Sequence, residues 1–376
     1  MHKPILLVIG TRAEAIKLIP LYLAFKKENI NVLLCATFQH SDLLQQVFDI
    51  FKITPDFNLD VMIKDQDLFY LQKTIMERVR EVYHKVNPIL VLVHGDTTTT
   101  MSAALAAFYL NIPVGHVEAG LRTGNMRSPF PEELNRKLVT QIADLHFAPT
   151  AFSTANLLAE GVARTKVFCT GNTVVDVLLY MKDLILNNKI DIDLKIKNII
   201  EKAKSENKKI VLLTAHRRES FGPGLVRIFN SIKKFANLHK DVLIILPAHP
   251  NPNVLVAINN SGIKNTKNII ITESLLYKDL IYLLINSNFV ATDSGGIQEE
   301  AVSLGKHVIV LRDVTERWEG VWDGSEDLVG TNENLILSSL EKCYHLKKET
   351  EKMSSIYGDG KSCNRIVSII RKNLNI

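Results

Sequence analysis

Cysteine is scarce in this chain of 376 residues: four, Cys35, Cys169, Cys343 and Cys363, lie far apart with no CxxC spacing. That excludes a disulfide framework, offers no thiolate zinc motif and fits a reducing compartment. Long apolar runs are also missing. No stretch reaches the roughly 18 apolar residues of a membrane span, and the run in MHKPILLVIG is too short for a signal peptide. A cytoplasmic protein with no membrane partner is therefore expected. Aromatic residues are only 7% of the chain and do not interleave with the lysines, whose densest run, Lys195 to Lys209, falls in a segment that reads as a linker. A formal charge of +5 spread in this way argues against a nucleic-acid partner and suits a dianionic small substrate. The first strand-to-helix loop, GTRAEAIKLIP, carries neither GxxxxGK[ST] nor GxGxxG, so no P-loop or dinucleotide fingerprint is available there.

What is present is a rhythm. The short β-rich runs PILLVIG, NVLLCAT, ILVLVHG, PVGHVEA, LHFAP and KVFCTG each precede a helix-like segment, which is the signature of βαβ units on parallel sheets. Their continuous apolar character means strands covered on both faces. After a charged segment around residues 187 to 209 the rhythm restarts with KKIVLLTAH, DVLIILPAH, NIIIT, NFVATDSGG and HVIVLRD. Two doubly wound α/β domains follow, joined near residue 180. Ligands of such sheets bind beyond the carboxyl ends of the strands. The polar clusters fall there: Gly10-Thr11-Arg12, His94-Gly95-Asp96, His116-Val117-Glu118, His216-Arg217-Arg218-Glu219, His249 and Asp293-Ser294-Gly295-Gly296. Two such rims facing each other predict an interdomain active-site cleft.

Each cluster admits a chemical and a plain structural reading. TDSGGIQEEAVSLG places Ser294, Gly295 and Gly296 at a helix start, where backbone N–H groups and a dipole contribution of about 0.3–1 kcal/mol make an anion site. Glu300, about one turn on, can reach a ribose diol beside that anion; the alternative is a capped helix with two solvated glutamates. Arg12 offers a planar fork for phosphate, whereas Lys17 is equally a surface lysine. In RSPFPEELNRKL, Glu132 and Arg136 stand four apart and can pair, while Glu133 points aside and is expected to be solvated. Asp96 is either an exposed functional carboxylate or the N-cap of the threonine-led helix in HGDTTTT. His94, Asp96, His116 and Glu118 are suitable metal ligands, yet each pair has one intervening residue among groups suited to phosphate, so no metal is expected.

Together GTRAEAIK, HGDTTTT, GHVEAGLRT, SPFPEELNR, FCTGNTVVD, AHRRESFG, TDSGGIQEEA and YGDG, in this order from residue 5 to about 371, resemble the non-hydrolysing UDP-N-acetylglucosamine 2-epimerases. The resemblance implies the GT-B fold, with two Rossmann-like domains. The first would be residues 1–178, rejoined by a C-terminal helix 362–376, and the second residues 179–361. It implies a homodimer that interconverts UDP-N-acetylglucosamine and UDP-N-acetylmannosamine with no added cofactor, supplying envelope polysaccharide synthesis. It makes Asp96, Glu118 and Glu132 the active-site carboxylates, with Arg136 and His216 in support. Arg12, Lys17, His216, Ser294, Gly295, Gly296, Glu300 and Arg317 match the positions that contact UDP. Inverting C2 without an oxidising cofactor requires proton loss and departure of UDP, hence acid/base groups and a leaving-group cradle.

Departures from the family pattern are equally specific. Ala13 replaces a proline after the arginine, Trp318 replaces the proline of ERPE, and Leu280 stands where an aromatic commonly borders uracil. Asp42 and Asp65 occupy positions where the family uses a glutamine and an arginine to hold a second, activating nucleotide sugar. Two other readings stand beside the epimerase. One is a related GT-B enzyme that hydrolyses UDP or acts on a modified UDP-amino sugar. The other is a non-catalytic nucleotide-sugar-binding protein, against which the intact Asp96, Glu118, Glu132, Arg136 and His216 argue.

Overall fold

The structure, a computed structural model, describes residues 3–38, 41–63, 66–346 and 353–376, with residues 41–43 described by their backbone only. The chain divides into two compact units, Met1–Val177 with Tyr357–Ile376, and Leu178–Ile356. In the first, the described strands are β1 (Ile5–Ile9), β2 (Val32–Ala36), β3 (Phe57–Asn58), β4 (Leu90–His94), β5 (Val114–Val117), β6 (Leu145–Ala148) and β7 (Val167–Cys169). They form one parallel sheet in the order β3-β2-β1-β4-β5-β6-β7. Ile5 lies opposite both Val32 and Leu90, so β1 is central, and every residue of β1 and β4 is buried between helices. This is why ILLVI and LVLVH show no alternation. The closing helix Ser362–Leu374 packs on the helix Arg12–Lys27 through Ile366, Val367 and Ile370, and its first N–H groups, of Ser362 and Cys363, donate to the Asp176 carboxylate at 3.1 and 2.8 Å.

The second unit repeats the plan with β8 (Lys209–Thr214), β9 (Val242–Pro247), β10 (Ile269–Thr272), β11 (Phe289–Thr292), β12 (His307–Val310) and β13 (Glu326–Leu328). Their order is β10-β9-β8-β11-β12-β13, again parallel. Its core joins Phe229 and Phe235 of the helix Pro223–Leu238 to Phe289, Ile244 and Ile309 of the sheet, all essentially inaccessible. Full burial of one such side chain contributes about 1.5–3 kcal/mol. Strand order reverses between β1 and β4 and between β8 and β11. These are the points where a doubly wound sheet opens a crevice at its carboxyl edge.

The lysine-rich stretch is not a linker. Residues Leu194–Ser205 form a helix whose N-cap, Asp193, accepts from Lys195 N at 2.7 Å and Ile196 N at 3.3 Å, and which buries Ile196, Ile200 and Ala203. Three apolar residues at helical spacing suffice for a buried stripe, and the lysines between them occupy the wet face.

Candidate active site

At the first switch point a buried glutamate ties the loops after β1 and β4 together. Glu14 Oε2 accepts from Gly10 N at 3.0 Å and Thr11 N at 2.7 Å, while Oε1 accepts from the Thr97 and Thr100 hydroxyls at 2.7 and 3.0 Å. Burial raises its pKa against the pull of those hydrogen bonds. The threonine run thereby gains a position-by-position explanation. Thr97, not Asp96, caps the helix Thr98–Tyr109, accepting from Thr100 N at 3.0 Å. Thr99 bonds Thr37 at 3.1 Å and packs so close to β1 that a Cβ on Gly10 would lie 2.1 Å from its hydroxyl. With the cap supplied by Thr97, the Asp96 carboxylate is left for another partner.

That partner is Arg136, which places Nε at 2.9 Å and Nη2 at 2.6 Å from Asp96 Oδ2, while Asn135 donates to the Asp96 carbonyl at 2.8 Å. Both donors lie on the helix Glu132–Ile142. Glu132 opens that helix and is half-buried. Glu133, expected to be solvated, is fully buried: it accepts from Arg136 Nη1 at 3.0 Å and from Thr123 N and Gly124 N at 3.1 Å each. The correction has a physical cause, because the 123–124 loop folds back over the helix and its unpaired N–H groups need an acceptor there.

Glu118, just after β5, sits in the left-handed region with φ of 65°. A non-glycine residue there stores roughly 1–3 kcal/mol of strain. Its buried carboxylate pairs with Lys17 Nζ, accepts from Asn172 Nδ2 at 2.8 Å and lies 3.5 Å from His94 Nε2. Burial lowers the His94 pKa to about 4 and the His116 pKa to about 3, so both rings are neutral near pH 7. His116 Nε2 donates to the Gly95 carbonyl at 2.7 Å. Of the four residues considered as metal ligands, His94 and Glu118 face each other, whereas Asp96 is held by Arg136 and His116 bonds the Gly95 carbonyl. Arg122, in the loop after Glu118, donates Nε and Nη2 to Glu160 at 2.9 and 2.7 Å and holds that carboxyl down at about 2.

The second unit's switch point uses the same device. Asp293, fully buried after β11, accepts from His216 N at 2.5 Å and Arg217 N at 2.7 Å, and its other oxygen is 3.2 Å from His216 Nδ1. The His216 ring stacks on His249, with centroids 5.2 Å apart and planes 7° from parallel. The helix Gly295–Ser303 starts at Ser294 with no side-chain cap, which leaves its first N–H groups for a ligand. Gly295 is pressed against Arg317: a Cβ there would lie 2.4 Å from Nη1, whereas nothing lies within 4 Å of one on Gly296. Glu300 is buried and accepts from the Tyr277 hydroxyl at 2.8 Å. Arg317 donates to Glu299 at 2.9 Å and to Glu316, and Glu316 also accepts from the fully buried Arg312 at 2.9 Å.

Lys17 and Glu118 are brought together, as are Asp96 with Arg136 and Gly295 with Arg317. Arg12 begins its helix at the end of β1, half-exposed. Leu280 lies one turn beyond Tyr277 on the helix Tyr277–Asn286, and Trp318 stacks on Trp322 at 6.1 Å. Asp65 lies outside the described residues, as does the side chain of Asp42. Glu14, Glu133 and Glu299 were missed as site residues. Each sits beside a singled-out residue in sequence, and that adjacency to a strand-end loop was the available signal.

A family model described as UDP-N-acetylglucosamine 2-epimerase matches residues 24–371. The UDP-N-acetylglucosamine 2-epimerase of Campylobacter jejuni is 44% identical over 381 residues, covering 100% of this chain and 99% of that protein. That of Escherichia coli K12 is 42% identical over 383 residues, with 98% of each chain covered. Among solved structures, the Neisseria meningitidis UDP-GlcNAc 2-epimerase bound to UDP-GlcNAc aligns with a TM-score of 0.90 at 41% identity, covering 98% of this chain and 100% of that one. The Methanocaldococcus jannaschii enzyme in complex with UDP-GlcNAc and UDP aligns with a TM-score of 0.85 at 32% identity, covering 98% and 99%. Matched from end to end in sequence and in fold, the chain belongs to the UDP-N-acetylglucosamine 2-epimerase family of isomerases.

Proposed function

We propose that this protein interconverts UDP-N-acetylglucosamine and UDP-N-acetylmannosamine by eliminating UDP to 2-acetamidoglucal and adding it back. The observation that carries the reading is the pair of carboxylates at the carboxyl ends of β4 and β5, Asp96 and Glu118, each held by a cation from a separate helix, Arg136 and Lys17. A carboxylate takes the C2 proton, the C1–oxygen bond breaks, its electron pair leaves with UDP, and the C2–H pair becomes the C1–C2 double bond. Re-addition of the UDP oxygen to C1, with a proton delivered to C2 from the opposite face, gives the other epimer. Asp96, Glu118 and Glu132 supply the acid and base functions, and Arg136 and His216 steady the charge.

The departing UDP is stabilised by Arg12, Lys17, His216, the N–H groups at Ser294, Gly295 and Gly296, and Arg317, while Glu300 takes the ribose diol. Losing one such donor costs about 3–4 kcal/mol, several hundred-fold in rate. In this reading the first unit, Met1–Val177 with the returning helix, carries the carboxylates, and the second carries the UDP cradle. We further place the protein as a cytoplasmic homodimer that supplies envelope polysaccharide synthesis. The test is turnover in deuterated water. Product and recovered substrate should both carry deuterium at C2, and Glu118→Gln and Glu132→Gln should each slow exchange and epimerisation while leaving UDP binding intact. Epimerisation with C2 unlabelled, at incubation times where exchange with solvent is complete, would overturn the mechanism.

A further inference from the structure

On the second unit, away from the strand ends just described, three donor atoms of different chemistry converge. His307 begins β12 at its amino end, Asp327 lies in the edge strand β13, and Cys343 projects from the helix Glu333–His345. One ligand atom from each lies within 4.8 Å of the others, and among the described residues no other group of histidine, cysteine and carboxylate side chains converges in this way. His307 Nε2 and Asp327 Oδ2 are 3.1 Å apart, and the imidazole nitrogen is cut off from solvent. The two atoms are close enough for one cation to be held by both. Cys343 supplies the third direction from the core side, where it is buried and free of any disulfide.

We propose that His307, Asp327 and Cys343 form a zinc site that fastens the edge strand β13 and the helix Glu333–His345 to β12. The donor set of one imidazole, one carboxylate and one thiolate is suited to Zn²⁺, and its two negative charges cancel the ion's. Binding forms one bond each from Nε2, Oδ2 and Sγ, releases the Cys343 thiol proton to solvent and leaves a fourth position to water. The surrounding groups fit an outer layer. Lys342 Nζ holds the other carboxylate oxygen, Oδ1, at 2.7 Å, and the Ser339 hydroxyl donates to Oδ2 at 2.7 Å, so the carboxylate is oriented with Oδ2 toward the histidine.

The site stands independently of the proposed reaction. Its test uses the full chain carrying Cys169→Ser, because Cys169 is exposed and would bind metal adventitiously. After stripping with a chelator, cobalt(II) is titrated as a spectroscopic substitute for zinc. One equivalent should bind with a thiolate-to-cobalt charge-transfer band that zinc abolishes, and zinc should raise the melting temperature. Cys343→Ser should lose the band, and Ser339→Ala should weaken cobalt binding about 10–100-fold. His307→Gln, which leaves the core thiol in place, should weaken it further, and it serves as the decisive variant if Cys343→Ser folds poorly. A band that is absent, that survives Cys343→Ser, or that is indifferent to His307→Gln would overturn the proposal.

Discussion

Two neighbouring glycines at the helix start 294–296 separate packing from binding. Gly295→Ala forces a methyl into the Arg317 guanidinium, so both stability and UDP binding should fall. Gly296→Ala meets open space in the free protein, so its melting temperature should hardly change. If a phosphate rests on that turn, calorimetric UDP affinity should nonetheless drop about tenfold or more. Equal UDP affinity in Gly296→Ala and the parent would move the phosphate elsewhere. Three buried histidines, His94, His116 and His146, set a pH response. With native pKa values of about 4 for His94 and His146 and about 3 for His116 against about 6.5 unfolded, the unfolded chain binds more protons as the pH falls through that range. The contribution of these histidines to stability is therefore complete above about pH 6.5 and declines toward pH 4, by about 1.4 kcal/mol per histidine for each pH unit in the window. Denaturation midpoints taken from pH 7.5 down to 4 should show this slope, and His116→Asn, which keeps a donor for the Gly95 carbonyl but cannot charge, should reduce it.

Among elements, the helix Leu194–Ser205 shows where composition misleads. Ile200→Ala should cost about 2–5 kcal/mol, as for a packed core position, whereas Lys202→Ala should stay within about 0.5 kcal/mol. Urea midpoints of both variants decide it, and equal, small effects would restore the linker reading. The strands were legible because ILLVI, LVLVH and VLIILP are continuous apolar runs ending in polar clusters, and the parallel sheets because such runs alternate with helix-like segments. The strand-end placement of Asp96, Glu118, His216 and Ser294 to Gly296 was legible for the same reason, since a strand end is a sequence position. The burial of Glu133 and Glu299 was not, because each depends on a loop or a side chain distant in sequence folding back onto a helix face. His307, Asp327 and Cys343 escaped detection similarly, since parallel strands joined by long crossovers bring together residues whose spacing matches no local pattern.

For the molecule as a whole, the two sheets share a construction that sequence similarity between the halves does not reveal. In each, one buried carboxylate after a central strand, Glu14 or Asp293, gathers backbone N–H groups from the switch-point loops. Asp293→Asn keeps the volume but replaces one acceptor by a donor facing N–H groups, so His216 and Arg217 should loosen. UDP affinity should then fall more than stability, measured by titration calorimetry and thermal melts on the same sample. No helix among the described residues is long and apolar enough to cross a membrane. The return of Ser362–Leu374 to the first unit, where Asp176 receives its opening N–H groups, has a consequence for synthesis. A ribosome delivers the chain from its amino end, so the second unit's residues all emerge before the first unit receives its final helix. The half that begins to fold first is thus the last to be finished, and throughout elongation the apolar flank of Arg12–Lys27 awaits its cover. A nascent chain stalled before residue 362 should accordingly engage chaperones through its oldest segment rather than its newest.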